Sequence, residues 1–87
     1  MQWQASLSAV STIKTLRRQA ERIRAEALQA HLRKLGVLSA REHNIITAMS
    51  HAIVNKLLHT PTVRLKHTAD KQYVEALRYL FDLQGDE

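Results

Sequence analysis

Apolar residues recur in the first half of this chain at alternating steps of three and four. Ile13, Leu16, Ala20, Ile23, Ala27 and Ala30 form a heptad seam. Leu28, Leu32 and Leu35 widen it toward its end. The spacing predicts one long helix over residues 12–35, with Gly36 as its stop, because glycine accepts the left-handed conformation that closes many helices. At 1.5 Å per residue this rod is about 36 Å long. A globular chain of this length has an expected radius of gyration of only about 12 Å, so one helix spans the domain, as in a bundle.

A second helix follows. Ser39-Ala40-Arg41-Glu42 matches the capping box, in which the serine hydroxyl and the glutamate carboxylate satisfy two backbone amides reciprocally. The apolar face of residues 40–59 holds Ile45, Ile46, Met49, Ile53 and Leu57, with Val54 and Leu58 to one side. Thr60-Pro61 reads as the end of that helix and the cap of a short further turn carrying Val63 and Leu65. A loop at 67–70 leads to a last helix over about 71–83, with a stripe of Tyr73, Val74, Leu77, Leu80 and Phe81. Trp3, Leu7 and Val10 also fall at helical spacing. Ten residues are too few for a stable helix in isolation, so residues 1–10 read as the end of something longer.

Composition narrows the class. The 87 residues make one domain at most, with two glycines and one proline, too few for the turns of an all-β domain. A chain of this size buries only about 60% of its unfolded surface, so sharing a core with a partner would help it. Cysteine is absent, which excludes a disulfide framework, a thiolate metal site and a cysteine nucleophile within these residues. No apolar run approaches the roughly 20 residues of a membrane span, and MQWQASLSAV has neither the charge nor the apolar core of a signal peptide. Net charge is +5, unevenly spread: residues 1–36 carry seven basic and two acidic side chains, and residues 70–87 two basic and five acidic. That asymmetry suits a nucleic-acid partner or antiparallel helices that complement each other.

Candidate chemistry is sparse. His43, His51 and His59 step by eight residues, about 12 Å along a helix, whereas two rings sharing an ion on one helix need a step of four. Solvated or helix-end histidines are the plainer reading, with His59 in the last turn against the negative end of the dipole. Asn55 and His59 are expected to bond near the Thr60-Pro61 turn. Lys14, Arg17, Arg18, Arg22, Arg24, Arg33 and Lys34 could face phosphates. Arg22 with Glu26, and Glu21 flanked by Arg17 and Arg24, are also ordinary pairs of a solvated face. LSAREHNIITAM followed by TVRLKH resembles the helix-turn-helix of quorum-sensing response regulators, but residues 40–59 hold no glycine, proline or turn cluster for the required break. No nucleophile–base set, phosphate loop or paired carboxylates point to catalysis.

One resemblance covers nearly the whole chain. IVNKLLHTPTVRLK, residues 53–66, is similar to the IVNKLLHxPxxxLK signature of the C-terminal dimerisation domain of glutamyl-tRNA reductase. Asn55, Lys56, His59, Pro61 and Leu65 carry it, and helical patterning alone does not demand Asn55, His59 or Pro61. STIKTLRRQAERIRAEAL (11–28), LSAREHNIITAMSHAIVNKLLH (38–59) and VEALRYLFDL (74–83) resemble the family's other segments in order. Ser11 stands where the family usually has proline, Ala27 where it has glutamate, His43 and Asn44 where it has charged residues, and Asp82 where it has glycine.

The resemblance implies a non-catalytic piece of an enzyme that uses NADPH to reduce glutamyl-tRNA to glutamate-1-semialdehyde for tetrapyrrole synthesis. The cysteine and the NADPH site would lie in other domains, leaving no catalytic, cofactor or metal site here. Residues 1–10 would end a spinal helix and 11–87 would form the dimerisation domain. The expected fold is all-α: a bundle of two long helices and shorter terminal ones, completed by homodimerisation. Ile13, Leu16, Ala20, Ile23, Ala27, Ile46, Met49, Ile53 and Leu57 would supply core and interface together. The expected partner is a second copy, with tRNA or a regulatory protein as secondary contacts. The expected compartment is the cytoplasm, or the plastid stroma of a photosynthetic eukaryote. A free-standing helical adaptor or nucleic-acid-binding module is the alternative.

Overall fold

A computed structural model describes residues 7–68 and 70–83, apart from the side chain of Leu7. Three helices follow in order: α1 (Leu7–Leu35), α2 (Ala40–Lys66) and α3 (Lys71–Leu80). α1 and α2 form an antiparallel hairpin in which Leu16 packs near Leu58, and Ala9 near Leu65. α3 lies along the N-terminal part of α1 in the same direction, Val74 beside Ala9 and Leu83 beside Leu16. The shape is long, 55 × 25 × 17 Å, with a radius of gyration of 16.2 Å. That exceeds the compact expectation of about 12 Å.

The first helix starts earlier than its heptad seam suggests. It runs unbroken from Leu7 through Ser11, the position where the resembled family has proline. Trp3 and residues 1–6 lie outside the described residues. α1 ends at Leu35, and Gly36 takes φ +79° as expected. Ser39 caps α2 with both bonds of the capping box, Glu42 N–H to Ser39 Oγ at 3.0 Å and Ser39 N–H to Glu42 Oε1 at 2.9 Å.

Pro61 does not end α2. The helix continues through it to Lys66, although proline removes one helical bond and costs about 3 kcal/mol in a helix interior. Two leucines two turns apart hold the segments on either side: Leu58 is buried with Leu16 and Leu83, and Leu65 with Ala9 and Val74. Each such burial contributes about 1.5–3 kcal/mol, enough together to offset the proline. His59 is therefore inside the helix, and His67 is the C-cap.

α3 starts at Asp70, whose side chain accepts from Gln72 N–H at 2.9 Å. It stops at Leu80, three residues before the expected end. Asp82 N–H donates to Tyr79 O at 3.2 Å and Leu83 N–H to Arg78 O at 2.9 Å, the Schellman pattern. Its pivot is Asp82, at φ +52°. Glycine occupies that conformation without strain, which accounts physically for the glycine usual there in the resembled family. The buried stripe of α3 also differs from expectation. Val74 is buried and Leu77 half-buried, whereas Tyr73, Leu80 and Phe81 are exposed. In their place Arg78 reaches α1, donating to Thr12 Oγ1 at 2.8 Å and Ser11 Oγ at 3.4 Å. This satisfies the fully buried Thr12 hydroxyl.

Gly36 and Asp82, both at positive φ, give opposite expectations. A Cβ at Gly36 would meet nothing within 4 Å, so Gly36→Ala should cost backbone strain alone, about 1 kcal/mol. Asp82→Gly should stabilise by about 0.5 kcal/mol. Denaturant titrations of both variants measure the two effects.

Candidate functional site

α3 covers α1 only from about Ala9 to Gln19, where the Gln19 amide donates to Phe81 O at 2.8 Å. Beyond it, residues 20–35 of α1 extend about 24 Å, paired among the described elements with α2. On the side where α3 would lie if it were longer, the hairpin leaves a groove of about 560 Å³. Phe81 closes one end and His31 lies toward the other. Leu16, Ala20, Ile23 and Ala27 line the α1 wall, and Ile46, Met49, Ile53, Leu57 and Pro61 the α2 wall.

The seam residues thus divide. Leu16 is 2% exposed and belongs to the protomer's core, with Ile13 and Ala20 packed against the core clusters. Ile46 is half-buried. Ile23, Met49, Ile53 and Leu57 are 51%, 56%, 50% and 70% exposed, and Ala27 is exposed. Such a contiguous apolar surface is unusual on a protein that stays alone in water and marks a binding face.

Polar groups sit at the groove's seam. The Arg24 side chain, one tenth exposed, donates to Ser50 Oγ at 3.1 Å and to Glu21 Oε2 from Nε at 2.9 Å. Ser50 in turn donates to Thr47 O at 2.7 Å. The Arg24 hydrogen bond holds the Glu21 carboxyl below its usual value; burial opposes it, and the nearby charges of Arg24 and His51 add smaller lowering effects. The bond to Glu21 holds Arg24 above its own. Nothing in the periodicity signalled the Arg24–Ser50 bridge; the only hint was an arginine beside the seam.

The signature residues fall elsewhere than expected. Asn55 Oδ1 accepts from Arg17 Nη1 across the hairpin at 3.2 Å, so Asn55 ties α2 to α1 instead of bonding near a Thr60-Pro61 turn. Arg17 is thereby engaged with Asn55, leaving Glu21 to Arg24. Lys56 and His59 are exposed, Pro61 borders the groove, and Leu65 is in the core. His51 lies 4.0 Å from Glu21, and His31 Nδ1 lies 2.7 Å from Ala27 O. Among the described residues, no three metal-ligating side chains converge and no helix is long and apolar enough to cross a membrane.

An all-helical hairpin with a half-covered apolar seam defines a helical association module. The family model for the dimerisation domain of glutamyl-tRNA reductase matches residues 1–83, and the chain belongs to that family. No curated protein matches, and no solved structure does.

The Glu21–Arg24 pair sets an acid sensitivity. A lowered carboxyl stabilises fully above its unfolded value of about 4.5 and loses that contribution as pH falls through the lower folded value. Glu21→Gln should lower stability slightly near neutrality, where the charged pair contributes, and converge with the parent well below pH 4.5, as read by thermal melts from neutral to acid pH. The effect should be small because the carboxylate is half exposed.

Proposed function

We propose that this chain is the homodimerisation module of a glutamyl-tRNA reductase and that a second copy fills the groove. The observation that carries this reading is the uncovered apolar seam of Ile23, Ala27, Met49, Ile53 and Leu57, on a chain of the dimerisation family. Copies joined by a two-fold axis bury the same patch on each side. Each would supply the helical layer that α3 is too short to provide.

In this reading the chain performs no chemistry itself. Reduction of glutamyl-tRNA with NADPH belongs to other domains of the parent enzyme, which residues 1–10 would join as the end of a spinal helix. The compartment would be the cytoplasm or the plastid stroma. tRNA or a regulatory protein would be a secondary contact, at the basic residues of α1. The apolar groove favours association over the alternative of a nucleic-acid module, whose contact surface would be basic and polar.

The chain should sediment as a dimer at micromolar concentration; a folded 10 kDa monomer would refute the reading. Two aspartate variants separate interface from core. Ile53→Asp should keep its helical circular dichroism and lose the dimer, because Ile53 is half exposed in the protomer. Leu16→Asp should unfold the protomer, because it buries an unpaired charge in the core.

A further inference from the structure

We infer that the two-fold axis of the dimer passes beside Ile53, with α2 packed antiparallel against α2 of the second copy. This rests on the docking reading above and adds which helices meet and in what register. The outer stripe of α2 runs Glu42, Ile46, Met49, Ile53, Leu57, Thr60 and Arg64. Its steps are 4, 3 and 4 residues on each side of Ile53. The stripe therefore reads the same from both ends in spacing, and it carries an acid at one end and a base at the other.

An antiparallel two-fold contact pairs residues placed symmetrically about its centre. Centred on Ile53, it sets Met49 against Leu57, and Glu42 against Arg64, twice each. A parallel contact in register would put Glu42 against Glu42 and Arg64 against Arg64, which is repulsive. The charged ends lie eleven residues from Ile53, about 16 Å along the helix. At the shallow crossing of about 20° found in helical bundles, the two helices are still within reach of a Glu–Arg pair there. Glu42 uses Oε1 in the capping box and has a second oxygen for this contact. The Arg64 guanidinium has no hydrogen-bond acceptor among the described residues. The small Ala20 and Ala27 on the opposite wall of the groove leave room for the larger side chains of the incoming helix.

The chain contains no cysteine, so single cysteines report on the axis directly. A disulfide needs Cα atoms within about 7 Å, which a residue meets with its own copy only near the axis. Under mild oxidation Ile53→Cys should give a double-mass species several-fold more efficiently than Met49→Cys or Leu57→Cys alone. Met49→Cys mixed with Leu57→Cys should cross-link as a heterodimer. A second measurement uses charge: Glu42→Arg mixed with Arg64→Glu should form more mixed dimers than the statistical half, because each homodimer places like charges together. A protein that remains dimeric but cross-links no better through Ile53→Cys, or whose charge variants mix at random, would overturn the axis and leave the docking reading standing. A monomeric wild-type chain would remove both.

Discussion

The fold depends on a mismatch of lengths. α1 and α2 have 29 and 27 residues and α3 has 10, so about 15 Å of helix is laid against a hairpin of about 40 Å. Where α3 lies, three helices enclose Ala9, Leu16, Leu58, Leu65, Val74 and Leu83. Where it ends, the same seam continues with the same kind of side chains and no cover among the described residues. The hydrophobic effect scales with area removed from water, so the uncovered half is the part of the molecule with most to gain from association. Buried core and open groove are one stripe divided by the reach of a third helix.

The short third helix is held with unusual care for its size. Arg78 donates to two hydroxyls of α1, Gln19 satisfies the Phe81 carbonyl, and the Schellman turn swings Leu83 back into the core. Four residues after the Arg24–Ser50 bridge begins the part of α2 that meets α3 through Val54, Leu58 and Leu65. The signature asparagine acts in the same economy: Asn55 joins the hairpin at the level where the covered and uncovered halves meet. Thr12, Arg78, Asn55 and Arg17 thus fix the position of the helices whose apolar faces form the groove.

Features set by neighbours in sequence were legible from it. The heptad seam, the Gly36 stop and the Ser39–Glu42 box depend on residues within a turn or two, and they stand as expected. The path of α2 through Pro61 was not legible, because the leucines that hold it meet partners about 50 residues away on α1. The partner of Asn55 is 38 residues distant and leaves no trace in local spacing. The early end of α3 was half visible: the FDL run carried no glycine, yet Asp82 adopts the glycine-like conformation regardless. The split of the seam residues into covered and open sets needed the position of α3, which periodicity does not give.

α1 has no proline or glycine from Leu7 to Leu35 and no interruption at Ser11. A continuous α-helix transmits orientation: each residue fixes a rotation of about 100° and an advance of 1.5 Å. Whatever structure is joined rigidly to its amino end inherits an azimuth measured from Thr12, where Arg78 clamps the rod. One residue gained or lost between that clamp and an attached body would swing the body through more than a quarter turn about the rod. The clamp thus acts as an angular reference, and in a two-fold assembly any such swing would occur in the same rotational sense about each rod, because a two-fold rotation preserves handedness.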